Sequence, residues 1–141
     1  MNKKITIKNK QKGIFFFITG LSGSGKSSLA KKIKPRIQKK YGKTLLFHGD
    51  EIRKMFALKK YASNDRKKIA LQYVKLCKKI TSNNINVILA TVSLYKNKIK
   101  NVVGLTVKPE FPKNPNIIIK NDFKISIDKL SENLFKKFNN Q

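Results

Sequence analysis

The stretch GLSGSGKSS, residues 20–28, stands between an apolar run, GIFFFIT, and a helix-patterned run, KSSLAKKIKPRIQKKYG. No other feature constrains the fold as much, because a loop of this type works only at the junction of a buried strand and a helix. Gly20, Gly25, Lys26 and Ser27 satisfy G-x-x-x-x-G-K-[ST] without a mismatch. Glycines let the backbone curl until successive amides aim at one anion. The helix behind the loop adds its positive end. Lys26 is then predicted to reach the β- and γ-phosphates, and the Ser27 hydroxyl to ligate Mg²⁺. The candidate nucleotide-binding set is Gly20, Leu21, Ser22, Gly23, Ser24, Gly25, Lys26, Ser27 and Ser28, with ATP or GTP as ligand.

The rest of the chain supplies the layers that such a loop requires. GIFFFIT reads as a strand buried on both faces. The helix after the loop carries Leu29, Ile33 and Ile37 at helical spacing. Pro35 is expected to kink or end it near its middle, and Gly42 to stop it. KTLLFHGD predicts a second buried strand ending in a turn, and EIRKMFAL a short helix. Ser63 or Asn64 is placed to cap a helix over residues 65–81, with Ile69, Tyr73, Leu76 and Ile80 on its apolar face and Cys77 beside them. A third strand is expected over residues 86–91. Residues 95–114 show no clear helix or buried strand, an unusual length for a link within a compact domain. The run NIIIK predicts a fourth strand over residues 116–120, and SIDKLSENLFKKF an amphipathic helix capped by Ser126. Strand and helix alternate, which implies an α/β domain with a parallel sheet over residues 13–141, preceded by a flexible basic arm, residues 1–12.

The second strand ends in FHGDEIR. Asp50, at the tip of a strand beside the phosphate loop, is well placed to hold Mg²⁺ or its waters, and Arg53 can face an anionic acceptor. From here the chain resembles the adenylylsulfate kinases. FFFITGLSGSGKSSLA is similar to that family's nucleotide loop, HGDEIR to its Asp-Gly-Asp-Asn-x-Arg segment, and YASNDR to its Phe-Ser-x-x-Asp-Arg segment. INVILATVS resembles the strand leading to its Ser-Pro-Phe/Tyr turn. KIKNVVGLTVKPEFPKNPNIIIKN resembles its late Phe-Thr-Gly-Ile-Asp region and last strand. The ordered set covers most of residues 13–125. The resemblance implies a P-loop kinase fold and transfer of the γ-phosphate of ATP to the 3′-hydroxyl of adenosine 5′-phosphosulfate, with Lys26 and Asp50 catalytic. It also implies Mg²⁺ on Ser27 and Asp50. By the same resemblance Arg53 and Arg66 contact the sulfated nucleotide, and Tyr61 stacks on its adenine.

The match breaks in three places. His48 stands where the family has its first Asp, and a neutral imidazole is a poor ligand for a hard cation. Val102 and Thr106 replace an aromatic and an Asp. Between ATVS and the late region, ATVSLYKNKIKNVVG runs straight through, where the family has a helix, a strand and a lid. The expected fold is therefore the family's, short of one strand and the lid, with strand 14–19 left short of a neighbour or the 116–120 strand forced inward. Two alternatives to adenylylsulfate kinase activity stay open: an inactive ATP-binding remnant, and a kinase for another small hydroxylated acceptor.

The formal net charge is +26, with 33 basic residues against 7 acidic ones. Lysines are spread from end to end among Asn and Ile, a pattern expected of compositional bias. It attracts polyanions without selecting one, so no specific nucleic-acid partner follows. No apolar run is long enough to cross a bilayer, and the N-terminal stretch lacks a signal peptide's apolar segment. The expectation is a cytoplasmic protein with a small-molecule substrate; a homodimer is left open. Cys77 is the single cysteine, which excludes an internal disulfide.

Overall fold

The computed structural model describes residues 12–58, 63–92, 94–95, 109–110 and 115–140, of which residues 63, 64, 66, 67, 94, 95, 109 and 110 are described by backbone alone. Strand β1 (Phe15–Gly20) leads through the glycine loop into helix α1 (Lys26–Tyr41). Strand β2 (Thr44–His48) runs directly into helix α2 (Gly49–Met55), and helix α3 (Ser63–Thr81) returns the chain to strand β3 (Asn86–Val92). β1, β3 and β2 form a parallel sheet in that order, with Phe16 opposite Ile88 and Leu46 opposite Ile88 on its other side. Strands β4 (Leu94–Tyr95) and β5 (Pro109–Glu110) pair antiparallel, and helix α4 (Ile127–Asn139) closes the described chain.

Both faces of the sheet are covered, which is why its strands read as continuous apolar runs. On one face Leu29, Ala30, Ile33 and Ile37 of α1 and Leu130 and Leu134 of α4 bury Ile88 and Ala90. Phe16 joins them, edge-on to Phe138 at 5.4 Å between ring centroids. On the other face Ile52 of α2 and Ile69, Tyr73 and Cys77 of α3 bury Val87 and Leu89. α4 is fastened at both ends. The Ser126 hydroxyl accepts from the Lys129 amide at 3.2 Å, Lys32 pairs with Asp128 at 2.8 Å, and Lys40 donates to Asn139.

Four sequence expectations are corrected. α1 passes Pro35 without a break. Pro35 and Lys31, the residue whose carbonyl loses its partner, both face solvent, so water satisfies what the ring removes. The chain leaves β2 through a helix rather than a turn. On α3 the buried stripe is Ile69, Tyr73 and Cys77, spaced by four, and Leu76 is 37% exposed. Residues 116–120 form no strand. Ile117 and Ile119 pack on the α1–α4 face while Ile118 turns outward, so the segment is anchored by alternate side chains rather than by a ladder. Among the described residues β1 has β3 as its hydrogen-bonded neighbour and Phe17 is 44% exposed, as expected of a sheet one strand short.

Cys77 is fully buried, and burial pushes its thiol up to about 11 from an ordinary value of 9.0. An unfolded chain therefore gives up this proton first. The cysteine contributes a loss of stability as pH rises from about 9 towards 11, and none below it. In the native protein at pH 8, Ellman's reagent is expected to leave Cys77 unreacted over minutes and to titrate it fully in denaturant. Fast native labelling would contradict this burial.

Candidate nucleotide and phosphoryl-transfer site

All three parallel strands end on one edge, at Gly20, Val92 and His48. In open α/β sheets ligands bind at that carboxyl edge. The loop there is shaped by two left-handed glycines, Gly23 at φ 74° and Gly25 at φ 84°, where an L side chain would be strained. Gly25 forms the N-terminal boundary of α1 and its carbonyl accepts from the Leu29 amide at 2.9 Å. No side chain caps α1, and its first turn holds no acidic residue. α4, by contrast, is capped by Ser126 and carries Asp128. Among the described residues no side chain takes up the first amides of α1, and they and its positive end are suited to an anion.

Lys26 lies across this loop, its ammonium donating to the Leu21 carbonyl at 2.5 Å. Burial lowers its pKa, and the negative charge of Asp50 pulls it partly back. That interaction ties the loop of β1 to the first turn of α2. Asp50 is placed by close packing: a Cβ on Gly49 would meet Thr91 Oγ1 at 2.6 Å, so glycine lets α2 begin hard against the end of β3. The Tyr73 hydroxyl donates to the Gly49 carbonyl at 3.4 Å and braces the same corner. Burial raises the Tyr73 pKa, with the Arg53 guanidinium opposing that shift and Asp50 adding to it.

The predicted residues divide as follows. Gly20, Leu21, Ser22, Gly23, Ser24, Gly25, Lys26, Ser27 and Ser28 form one continuous loop and first helical turn, and the Asp50 charge is felt at Lys26. Arg53 sits one turn along α2, where its Nη1 donates to the Leu58 carbonyl at 3.2 Å. Arg66 lies in the first turn of α3, its side chain not described, and Tyr61, Val102 and Thr106 lie outside the described residues. His48 is buried at the tip of β2 in register with Ala90, and neither ring nitrogen has a hydrogen-bond partner among the described residues.

Asn121 was not legible as a site residue. Its Nδ2 donates to the Ser24 carbonyl at 3.1 Å, and a Cβ on Gly25 would lie 2.9 Å from the same nitrogen. The side chain thus rests on the phosphate loop from 97 residues away. The one local signal is an Asn closing an apolar run, a common turn position.

Among the described residues no group of three or more His, Cys, Asp or Glu side chains can hold a metal ion. The Ser27 hydroxyl and the Asp50 carboxylate are oxygen donors, the type a magnesium ion takes together with phosphate oxygens and water. No described helix is long and apolar enough to cross a membrane.

Comparison with known proteins agrees with this fold. A family model described as adenylylsulphate kinase matches residues 12–112. The cytidine diphosphoramidate kinase of Campylobacter jejuni is 28% identical over 86 residues, 61% of this chain and 51% of that protein. The adenylyl-sulfate kinase of Bacillus velezensis is 29% identical over 136 residues, 94% of this chain and 66% of that protein. The chain thus spans between about half and two thirds of the length of these curated relatives. The structure of Mycobacterium tuberculosis APS kinase CysC in complex with AMPPNP and APS superposes with a TM-score of 0.72 at 18% identity, covering 91% of this chain and 98% of that one. At that identity the likeness concerns the fold.

Proposed function

The chain belongs to the adenylylsulphate kinase family, and from that premise we propose that it transfers the γ-phosphoryl group of ATP to the 3′-hydroxyl of adenylylsulfate. The observation that carries this reading is the uncapped end of α1, wrapped by Gly23 and Gly25, with Lys26 across the loop and within electrostatic reach of Asp50. The α1 amides and Lys26 hold the triphosphate tail, and the Lys26 ammonium offsets charge on the transferring group. Ser27 and Asp50 hold Mg²⁺, which neutralises phosphate charge when bound. Arg53 and Arg66 grip the acceptor's phosphate and sulfate oxygens, for which a guanidinium fork is suited. Tyr61 stacks on its adenine. Catalysis in such a site is mostly positioning and electrostatics, so no covalent step on the protein is required.

A second reading, a kinase for a different hydroxylated nucleotide, is favoured by His48. Where the family resemblance expects a carboxylate, this chain carries a buried imidazole with no hydrogen-bond partner among the described residues. The likeness to a cytidine diphosphoramidate kinase points the same way.

Purified chain incubated with Mg·ATP and either adenylylsulfate or cytidine diphosphoramidate separates the two by the product formed. The first reading expects 3′-phosphoadenylylsulfate, and Arg53→Ala lowering kcat/KM for adenylylsulfate by about 10- to 100-fold, the worth of a charged hydrogen bond. Phosphorylation of the cytidine compound alone would replace it with the second. Bound ATP and no transfer to either would mark a nucleotide-binding remnant.

A further inference from the structure

Phe123 is unexplained by the core. Its side chain is among the exposed large apolar groups, at 69%, yet its backbone sits at φ 61°, a conformation a bulky L residue rarely adopts. Such strain persists only where surrounding bonds enforce it. Here the enforcing group is Asn121, whose Oδ1 accepts the Phe123 amide at 3.1 Å while its Nδ2 holds the Ser24 carbonyl at 3.1 Å. A single side-chain amide therefore links the phosphate loop to the turn that presents the ring. Two residues span at most about 7 Å, so Phe123 stands within a nucleotide's length of the loop. The ring belongs to neither core cluster among the described residues.

We propose that Phe123 is the platform on which the base of the donor nucleotide stacks, and that Asn121 is the positioning residue that sets the ring against the phosphate loop. The inference rests on the loop holding a triphosphate, as argued above. With the phosphates seated on the α1 amides, the base must extend out of the loop, and the strained turn offers it an aromatic face. Stacking of this kind uses the π-face of a base rather than its edge. Donor recognition here is then shape-based and tolerant of base identity.

Calorimetry with two probes separates base from phosphate: Mg·ATP, and Mg·tripolyphosphate, which has no base. Phe123→Ala is expected to weaken Mg·ATP binding by about 5- to 100-fold, the range for loss of one stacked base, and to leave Mg·tripolyphosphate unchanged. Phe123→Trp is expected to keep Mg·ATP affinity. Asn121→Ala is expected to weaken both ligands, since it releases the Ser24 carbonyl as well as the ring. Because the Phe123 ring is exposed, both Phe123 variants are expected to melt as wild type does. Unchanged Mg·ATP affinity in Phe123→Ala, or an equal loss for both probes, overturns the inference while leaving the phosphate loop intact. Wild-type protein that binds neither probe overturns the phosphate-loop reading itself, and the platform with it.

Discussion

Replacing Lys26 with alanine is expected to abolish measurable Mg·ATP binding and to lower phosphoryl transfer by on the order of 10²- to 10³-fold, the cost of losing one preorganised charge donor. Its expected effect on folding is of the opposite kind. Burial lowers the Lys26 pKa, so carrying this charge at neutral pH costs the folded state free energy, and the Asp50 carboxylate offsets only part of that. The hydrogen bond that Lys26 gives up is one to an exposed loop carbonyl, that of Leu21. Lys26→Ala should therefore be as stable as wild type or slightly more so in urea. Lys26→Arg is not expected to rescue binding, because a planar fork does not fit where the loop closes around a point charge. Calorimetry and urea unfolding on the same samples check both halves. Lost binding together with lost stability would make Lys26 a structural residue instead.

Ile88→Ala is expected to destabilise the fold by about 2–5 kcal/mol, seen as a lower urea midpoint with an unchanged slope. Ile88 lies in the central strand β3, fully buried, and packs between the α1–α4 layer and both neighbouring strands. A three-stranded sheet has no second central strand to absorb the cavity. Ile118→Ala serves as the contrast. Its side chain is 73% exposed, and a change within about 0.5 kcal/mol is expected. A large effect at Ile118 would mean that residues 116–120 form the inward strand the apolar run suggests.

That contrast shows where sequence reading reached and where it stopped. The phosphate loop, the strands either side of it and the capped C-terminal helix were legible because each rests on local chemistry: glycine conformations, apolar runs and a Ser126 cap. Ile117, Ile118 and Ile119 carry equal local signals, and only packing decides that two turn in and one out. Pro35 breaks helices in general but not here, because its face meets water. Cys77 displaced Leu76 from the α3 stripe because the helix meets the sheet at a four-residue spacing. Within the candidate site, Lys26 and Asp50 were proposed from motif and position, and in the structure the Asp50 charge is felt at Lys26. Asn121 was not, because its contact with Ser24 joins two ends of the chain that no short pattern connects. The residues proposed for the acceptor divide similarly: Arg53 is placed on α2, whereas Tyr61 lies outside the described residues.

The central claim, that the loop entering α1 grips a nucleoside triphosphate, is tested most directly by backbone amide resonances. Titration of ¹⁵N-labelled protein with Mg·ATP should shift the amides of Gly23, Gly25, Lys26 and Ser27 saturably, with little change along the middle of α3, and should leave them still in Lys26→Ala. A folded wild-type sample whose loop amides do not move at millimolar Mg·ATP would contradict the account.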